Sequence, residues 1–272
     1  MEKKNSCRYL FSGCVYVDDE TTVRYFSLAE NGFNKIKNDG KTPLAVDVEA
    51  GLSALKGIND EGITVEIKKE EILKTIELEP EISSVLSGCF LKDGAFAMLL
   101  VNDESSVERS FIVAVSDTGY SKWIGYTLKE ENTRELFSSL LSLGAVLDRP
   151  ASLQCYGDNI YVVSHRIFSD MMNAVVFKLD RSKKKLEYVT GYHPIKTKGK
   201  VSIYFQEKDE TLYVYSGSKL TTVKGLNFPV DMTFNEPGEI LFSKDKEDSG
   251  TYLYFIPDNK APGESKVRKL RL

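Results

Sequence analysis

A recurring unit of strand, tight polar turn and strand is the feature that most constrains how this chain can fold. The clearest copy contains apolar, strand-like runs at residues 84–90, 95–101, 110–115 and 121–126, with a turn at 92–94 after the first run. Residues rich in Val, Ile, Phe and Tyr that are separated by Gly, Asp and Asn are typical of short antiparallel strands. This copy therefore predicts a four-stranded antiparallel sheet.

Three further copies follow, and they begin near residues 152, 201 and 230. Their first turns contain Gly157-Asp158-Asn159, residues 207–210 and residues 235–238. Gly, Asn and Asp tolerate the positive φ angles of tight hairpins. Short strands at even spacing are found in sandwiches, barrels and propellers, and a four-strand unit that repeats every 30–50 residues favours radial repetition.

These segments resemble degenerate β-propeller blades of the kind seen in WD-repeat proteins. The resemblance covers most of residues 84–272 and, more weakly, the N-terminal part, although no Gly-His or Trp-Asp signature is present. The resemblance implies an all-β fold. The chain would form a single β-propeller domain over residues 1–272, with about five to seven four-stranded blades. Residues 7–17 would then pair beside the strand at 267–270 to close the ring. Tandem β-sandwiches are the alternative architecture.

One segment departs from the β pattern. Thr127 and Glu130 have the spacing of a capping box, and Gly144 is suited to end a helix. The sequence thus predicts an amphipathic helix at 129–143, inserted between two blades. Its apolar face either packs on the edge of a sheet or serves as a docking element for a partner protein. Its apolar face would consist of Leu136, Phe137, Leu140 and Leu141.

Cysteine usage and the absence of targeting signals bear on the compartment. Cys7, Cys14, Cys89 and Cys155 are scattered, without a CxxC pair, so we expect buried thiols in a reducing environment. The N-terminal residues show no secretory signal, and no apolar run approaches the roughly 20 residues that span a bilayer. We therefore predict a cytoplasmic or nuclear protein without membrane contact.

Signatures of catalysis are missing from the sequence. The chain has two histidines, His165 and His193, and it lacks a G-x-S-x-G elbow, a Walker lysine and a calcium-loop motif. We accordingly predict no catalytic residues, no cofactor and no metal site. The alternative is a propeller-type hydrolase that acts at the axial opening, for which Asp148, Asp158 and His165 are the candidates.

A set of basic residues marks a second candidate contact region. These residues fall within a span of 20 positions, and they are Arg181, Lys183, Lys184, Lys185, Lys196, Lys198 and Lys200. Clustered cations attract phosphate or acidic partners, so weak nucleic-acid binding is a further alternative. The visible repeat together with the missing catalytic signatures favours a non-enzymatic protein–protein interaction scaffold that serves as a subunit of a larger assembly.

Overall fold

A computed structural model describes fourteen segments of the chain. These are residues 8–10, 13–17, 22–27, 32–37, 41–47, 51–102, 110–116, 123–128, 150–183, 185–199, 201–234, 238–244, 251–257 and 268–271. Strands dominate them, and they form six separate antiparallel sheets. The predicted all-β class, built from several antiparallel sheets, is confirmed.

The first three sheets have four strands each. Sheet 1 contains β1 (Arg8–Leu10), β2 (Gly13–Val17), β3 (Thr22–Ser27) and β4 (Gly32–Lys37). Sheet 2 contains β5 (Thr42–Asp47), β6 (Leu52–Asn59), β7 (Gly62–Lys68) and β8 (Ile72–Glu77). Sheet 3 contains β9 (Ile82–Phe90), β10 (Phe96–Asn102), β11 (Ser110–Ser116) and β12 (Trp123–Leu128).

The last three sheets vary in strand number. Sheet 4 contains β13 (Pro150–Tyr156), β14 (Asn159–Phe168), β15 (Met171–Asp180), β16 (Lys185–Gly191) and the short β17 (Ile195–Lys196), which pairs with β15. Sheet 5 contains β18 (Val201–Gln206), β19 (Thr211–Ser216), β20 (Lys219–Lys224) and β21 (Val230–Thr233). Sheet 6 contains β22 (Gly238–Lys244), β23 (Thr251–Pro257) and β24 (Arg268–Arg271).

Turn chemistry explains why neighbouring strands pair in chain order. Gly157 has a φ of +58° in the β13–β14 turn, and Gly217 and Ser218 have φ values of +57° and +63° between β19 and β20. Positive φ at both central residues, as at Gly217 and Ser218, is the geometry of a type I′ hairpin, and positive φ at the first central residue alone, as at Gly157, is that of type II′; the twist of both turns matches that of the flanking strands. Tight turns of this kind keep successive strands antiparallel within one sheet.

Backbone contacts divide the chain into two compact units. Unit 1 comprises Met1–Asp60, Thr64–Glu77 and Phe234–Leu272, and it contains sheets 1, 2 and 6. Unit 2 comprises Glu61–Ile63 and Leu78–Thr233, and it contains sheets 3, 4 and 5.

In unit 2, sheet 4 packs with sheet 3 through one face and with sheet 5 through the other. Along β14, Ile160 and Val162 join Leu99 and Val113 of sheet 3 in one core cluster. Tyr161 and Val163, at the alternate positions, join side chains of sheet 5 in a second cluster. Successive side chains of β14 point to opposite faces of sheet 4, and those on both faces are apolar. A sheet that is buried on both sides requires this pattern.

The first strands of sheets 3, 4 and 5 lie side by side and run in the same direction. Leu153 N donates to Ser87 Oγ at 3.2 Å, and further along the chain Lys92 N donates to Gly157 O at 3.0 Å. The residue numbers of the contacting pairs increase together along the two strands, so β9 and β13 run parallel. The same holds for β13 and β18, whose hydrogen bonds are described with the site.

A disulfide joins Cys89 of β9 to Cys155 of β13, with a Cα–Cα distance of 5.9 Å. The expectation that these two residues are thiols is therefore wrong. They are 66 residues apart in sequence, and only the packing of one sheet on the next brings them within bonding distance. This removes the cysteine argument for a reducing compartment, while the predicted location itself stays a prediction. Cys7 lies outside the described residues.

Two other expectations concern ring closure by the terminal strands and the inserted helix. β1 pairs with β2 in sheet 1, and β24 pairs with β23, so the described strands do not show the predicted pairing of residues 7–17 with the C-terminal strand. The described segments contain no helix, and the region predicted as helical, 129–143, lies outside them. Within the described ranges, no helix has the length and apolar character needed to cross a membrane.

Candidate protein-binding surface

Strand β21 and the turn before it form the outer edge of sheet 5. The turn begins at Gly225, whose φ is +52°, and Asn227 N donates to Lys224 O at 3.1 Å. This short reversal lets residues 230–233 pair antiparallel with β20 in the register Thr222↔Val230 to Lys219↔Thr233. The sequence had predicted these residues as the first strand of a new sheet. They are the fourth strand of sheet 5 instead.

Four large apolar side chains are exposed at alternate positions of this segment. Leu226 is 56% exposed, Phe228 81%, Val230 69% and Met232 48%. Val230 and Met232 lie on one face of β21 because side chains two apart in a strand share a face. We call these four residues the apolar edge.

The opposite face of β21 is fixed by polar contacts. Asp231 Oδ1 accepts a hydrogen bond from Thr221 Oγ1 at 2.7 Å, and Asp231 Oδ2 forms an ion pair with Lys219 Nζ at 2.8 Å. Burial raises the pKa of the Asp231 carboxyl, but the hydrogen bonds from Lys219 and Thr221 and the charge of Lys219 outweigh it and leave the pKa lowered. The carboxyl of Asp231 is thus ionised at neutral pH, and the ammonium of Lys219 compensates its charge. These contacts hold β21 against β20.

Phe228 is supported from one side by His193. The two ring centroids are 5.0 Å apart with an interplanar angle of 46°, and His193 N donates to Gly225 O at 3.3 Å. A backbone hydrogen bond and a ring contact therefore order the turn. An aromatic side chain that is held in place yet 81% exposed loses little conformational entropy when a partner covers it.

At the opposite edge of sheet 5, strand β18 is attached to sheet 4 through a buried amide. Gln154 is 2% exposed. Its Nε2 donates to Ile203 O at 3.2 Å, and its Oε1 accepts from Phe205 N at 3.0 Å. Tyr156 Oη also donates to Phe205 O. The side chain of Gln154 thus satisfies the backbone of β18 in the way a neighbouring strand would.

A carboxylate and tyrosines extend this junction to the hairpin end of the sheets. Glu207 Oε1 accepts from Asn159 Nδ2 at 2.7 Å and from Tyr161 Oη at 2.8 Å. Burial, followed by the hydrogen bond and charge of Glu207, raises the pKa of Tyr161. Burial and then the charge of Asp209 raise the pKa of Tyr213 to about 12. These phenols are neutral near pH 7 and act as hydrogen-bond donors rather than as bases.

The basic residues predicted from sequence fall into two separate groups. Arg181 and Lys183 are exposed in the β15–β16 turn, where Lys183 Nζ pairs with Asp180 Oδ2 at 3.0 Å and Glu187 Oε1 at 2.9 Å. Lys196 and Lys198 are exposed near the other end of β15, since Lys196 is the register partner of Met171. β15 has 10 residues, and at about 3.3 Å per residue its ends are about 30 Å apart.

The rest of the predicted contact residues are only partly described. Lys185 begins β16, but its side chain is not described, and Lys184 and Lys200 lie outside the described residues. Leu136, Phe137, Leu140 and Leu141 also lie outside them. The contact role of all these residues stays a prediction.

The hydrolase candidates do not converge on one site. Asp158 is exposed in the β13–β14 turn, and His165 lies near the far end of β14, seven residues later, which is roughly 20 Å along a strand. His165 Nδ1 is buried without a hydrogen bond from the described residues, and burial lowers the pKa of its imidazole. Asp148 lies outside the described residues. In the part of the chain that the structure describes, no group of three His, Cys, Asp or Glu could hold a metal ion.

Sequence reasoning missed the apolar edge although a signal was present. Leu226, Phe228, Val230 and Met232 alternate without interruption. Such alternation is normally the pattern of a half-buried strand, so it marks an apolar row without revealing that all four side chains are exposed. Pro229 in the middle of the run is the one residue that argues against an interior strand.

Comparison with known proteins gives no family. No protein-family model and no curated protein sequence matches the chain. A functionally unknown protein from Desulfotomaculum acetoxidans aligns over 96% of this chain and 80% of its own, with 13% identity and a TM-score of 0.49. The polysaccharide lyase Uly1 aligns over 98% and 89%, with 10% identity and a TM-score of 0.45.

The WD40 domain of SCAP from fission yeast is a third structure similar to this chain. It aligns over 98% of this chain and 73% of its own, with 10% identity and a TM-score of 0.40. All three TM-scores are below 0.5, so these likenesses establish neither the arrangement of the sheets nor a function for this chain.

Proposed function

We propose that this chain is a non-enzymatic protein–protein interaction scaffold, a subunit of a larger assembly that binds a partner protein through the apolar edge. The observation that carries the proposal is the exposure of Leu226, Phe228, Val230 and Met232 in one turn and strand. Single exposed apolar residues are common on protein surfaces, whereas contiguous ones mark interaction sites.

The composition of the apolar edge suits a protein partner. Phe and Met are enriched at protein–protein interfaces, and a few aromatic anchors contribute most of the binding free energy. Phe228 is such an anchor, because His193 and the Gly225 hydrogen bond already order its turn. The separated lysine groups and the distance between Asp158 and His165 give no comparable support to nucleic-acid binding or hydrolysis.

We further propose that the six sheets are blades of a β-propeller. Two features of unit 2 support this arrangement. Sheet 4 packs on both neighbours, and β9, β13 and β18 are parallel first strands. In a propeller each blade packs face to face on the next, and the first strands line the axis in a common direction. A propeller of this kind would present its outer strands, β21 among them, to partners.

Photo-cross-linking followed by affinity measurement tests the proposed function. A photoreactive amino acid at position 228 should cross-link a partner protein in cells of the source organism. The purified partner should then bind Phe228→Asp at least about tenfold more weakly than the unchanged chain, since loss of an aromatic anchor costs 2 kcal/mol or more.

Leu73→Asp is the matched control for that experiment. Leu73 is an exposed apolar residue of β8, the last strand of sheet 2, and it is 52% exposed. The proposal requires that this variant retain full affinity. Equal affinity of Phe228→Asp and the unchanged chain would refute it.

A further inference from the structure

We infer that the partner binds as an added β-strand: an extended segment with alternating apolar residues pairs with the outer edge of β21. This inference rests on the proposed function and specifies how the partner is bound. Addition of a peptide strand to an exposed sheet edge is a recurrent mode of recognition, in which main-chain hydrogen bonds give affinity and alternate side chains give specificity.

The first argument is that β21 is an edge strand without the usual protection. Among the strands that the structure describes, β21 pairs with β20 alone. Natural edge strands are commonly blocked by Lys, Pro or bulges. The last strand of sheet 6, β24, carries Arg268, Lys269 and Arg271. The one charged residue of β21 is Asp231, and Lys219 neutralises that charge. Pro229 lies just before the strand, outside its paired residues 230–233.

The second argument separates β21 from the other apolar outer strand. Ile72 and Leu73 of β8 are each 52% exposed, but they are adjacent and therefore point to opposite faces. The register of β7 and β8 also shifts between Ile67 and Lys68. Val230 and Met232 instead share one face of a regularly paired strand. Of these two outer strands, β21 is therefore the one that offers an apolar row beside which a new strand could lay its own side chains.

The third argument is the size of the site, which identifies its occupant. A standard interface between globular proteins involves about 20–30 residues on each side. The apolar edge has four apolar side chains on one turn and a strand of 4 residues. This is too small for a stable interface with a second folded copy, but it matches the few residues that an added strand contributes.

The fourth argument gives the chemistry of the segment. The residues of the partner's segment that lie beside Val230 and Met232 would be apolar. Those of its opposite face, which lie beside Asp231 and Thr233, would be polar. Lys224 is exposed and forms no ion pair with any residue that the structure describes. It lies on the same face as Val230, because it is two positions beyond Thr222, the register partner of Val230. We therefore expect a carboxylate at the end of the segment near Val230.

The test uses the full chain and a defined peptide. The probe has six residues, acetylated and amidated, in which valine and threonine alternate and the last residue is glutamate. In an antiparallel pair with β21, this order places the glutamate near Lys224. Titration calorimetry should detect binding, and nuclear magnetic resonance should show the largest amide shifts at residues 230–233. No binding at millimolar peptide would overturn the inference.

Matched variants and a modified peptide make the result specific. Met232→Lys and Val230→Lys should each weaken binding at least about tenfold, because a charged edge residue blocks strand addition, whereas Leu73→Lys should not change it. N-methylation of alternate peptide amides should also cost at least about tenfold. Both lysine variants alter exposed side chains, and thermal melting confirms that they fold. Binding that is unaffected by the lysine variants or by N-methylation would contradict strand addition.

Two further outcomes separate this inference from the proposed function. If the cross-linked partner loses affinity for Phe228→Asp but not for Met232→Lys or Val230→Lys, the apolar edge is the binding surface and strand addition is wrong. If sedimentation shows that the chain alone forms a dimer that Met232→Lys abolishes, the occupant is a second copy and the inference also fails.

Discussion

At the scale of a single residue, Gln154 is one of the contacts that attach sheet 5 to sheet 4. Replacement by Leu removes the acceptor for Phe205 N and the donor for Ile203 O in a buried place. A buried group left without its partner costs about 1–3 kcal/mol. We therefore expect Gln154→Leu to lower the free energy of unfolding by about that amount, as measured by denaturant titration.

A second variant of the same residue is Gln154→Glu, and its control is Gln206→Glu. A carboxylate at position 154 cannot donate to Ile203 O and is buried, so we expect a loss at pH 7 at least as large as that of Gln154→Leu. Gln206 Oε1 accepts from Tyr213 Oη at 3.1 Å, and Glu keeps that acceptor. Gln206→Glu should therefore change stability little. An equal loss in both Glu variants would contradict the role given to Gln154.

His165 gives the chain a dependence of stability on pH. Burial lowers the pKa of this histidine in the folded protein, whereas the unfolded chain keeps the ordinary value of about 6.5. Below that pH the unfolded state binds a proton that the folded state does not. The free energy of unfolding should therefore fall with decreasing pH, by up to about 1.4 kcal/mol per unit, until the folded-state pKa is reached.

Replacement of the imidazole tests that contribution. The variant His165→Asn cannot take up this proton, so its unfolding free energy should fall less steeply between pH 6.5 and 5 than that of the unchanged chain. Urea titrations at several pH values measure both slopes. Identical slopes would show that His165 is not protonated differently in the two states.

At the scale of elements, the Cys89–Cys155 disulfide links the first strands of two sheets. It closes a loop of 66 residues in sequence, and such links typically contribute about 2–4 kcal/mol by restricting the unfolded chain. Reductant should lower the midpoint of denaturant unfolding of the unchanged chain. It should lower the midpoint of the double variant Cys89→Ala, Cys155→Ala by less than it lowers that of the unchanged chain. Peptide mapping without reductant should recover the two cysteines in one linked product.

The strands that sequence could predict are those whose signals are local. Apolar runs and Gly- or Asp-containing turns correctly placed β9 to β12, because hairpin pairing is decided by neighbouring residues. β21 was assigned to the wrong sheet, since its partner is chosen by the turn at Gly225 and by Asp231 contacts with Thr221 and Lys219. The disulfide depends on packing between sheets, which no local pattern encodes.

The candidate surface was harder to predict than the fold. Exposure is a property of what lies beside a strand, so the alternation of Leu226 to Met232, which is typical of a half-buried strand, does not reveal that these side chains are exposed. The lysine set looked like one cluster because its members are close in sequence, but β15 separates its two ends. Sequence distance and spatial distance diverge whenever an extended strand of 10 residues intervenes.

At the scale of the whole molecule, the chain is a series of antiparallel sheets in sequence order. Within unit 2, the disulfide, the Gln154 hydrogen bonds and two apolar clusters join successive sheets. These contacts attach sheet 5 to sheet 4 through β18 and the adjoining strands, and the apolar edge lies at the opposite edge of sheet 5. An aromatic anchor that is already ordered, as Phe228 is by His193, lowers the entropic cost of binding a partner.

Hydrogen exchange of the chain with and without its partner tests this account most directly. Exchange of backbone amides reports on local protection by bound strands. We expect peptides covering residues 224–233 to exchange more slowly in the complex, while those covering β8 at Ile72–Glu77 remain unchanged. Unaltered exchange at 224–233, together with protection elsewhere in the chain, would contradict the assignment of the apolar edge as the binding surface.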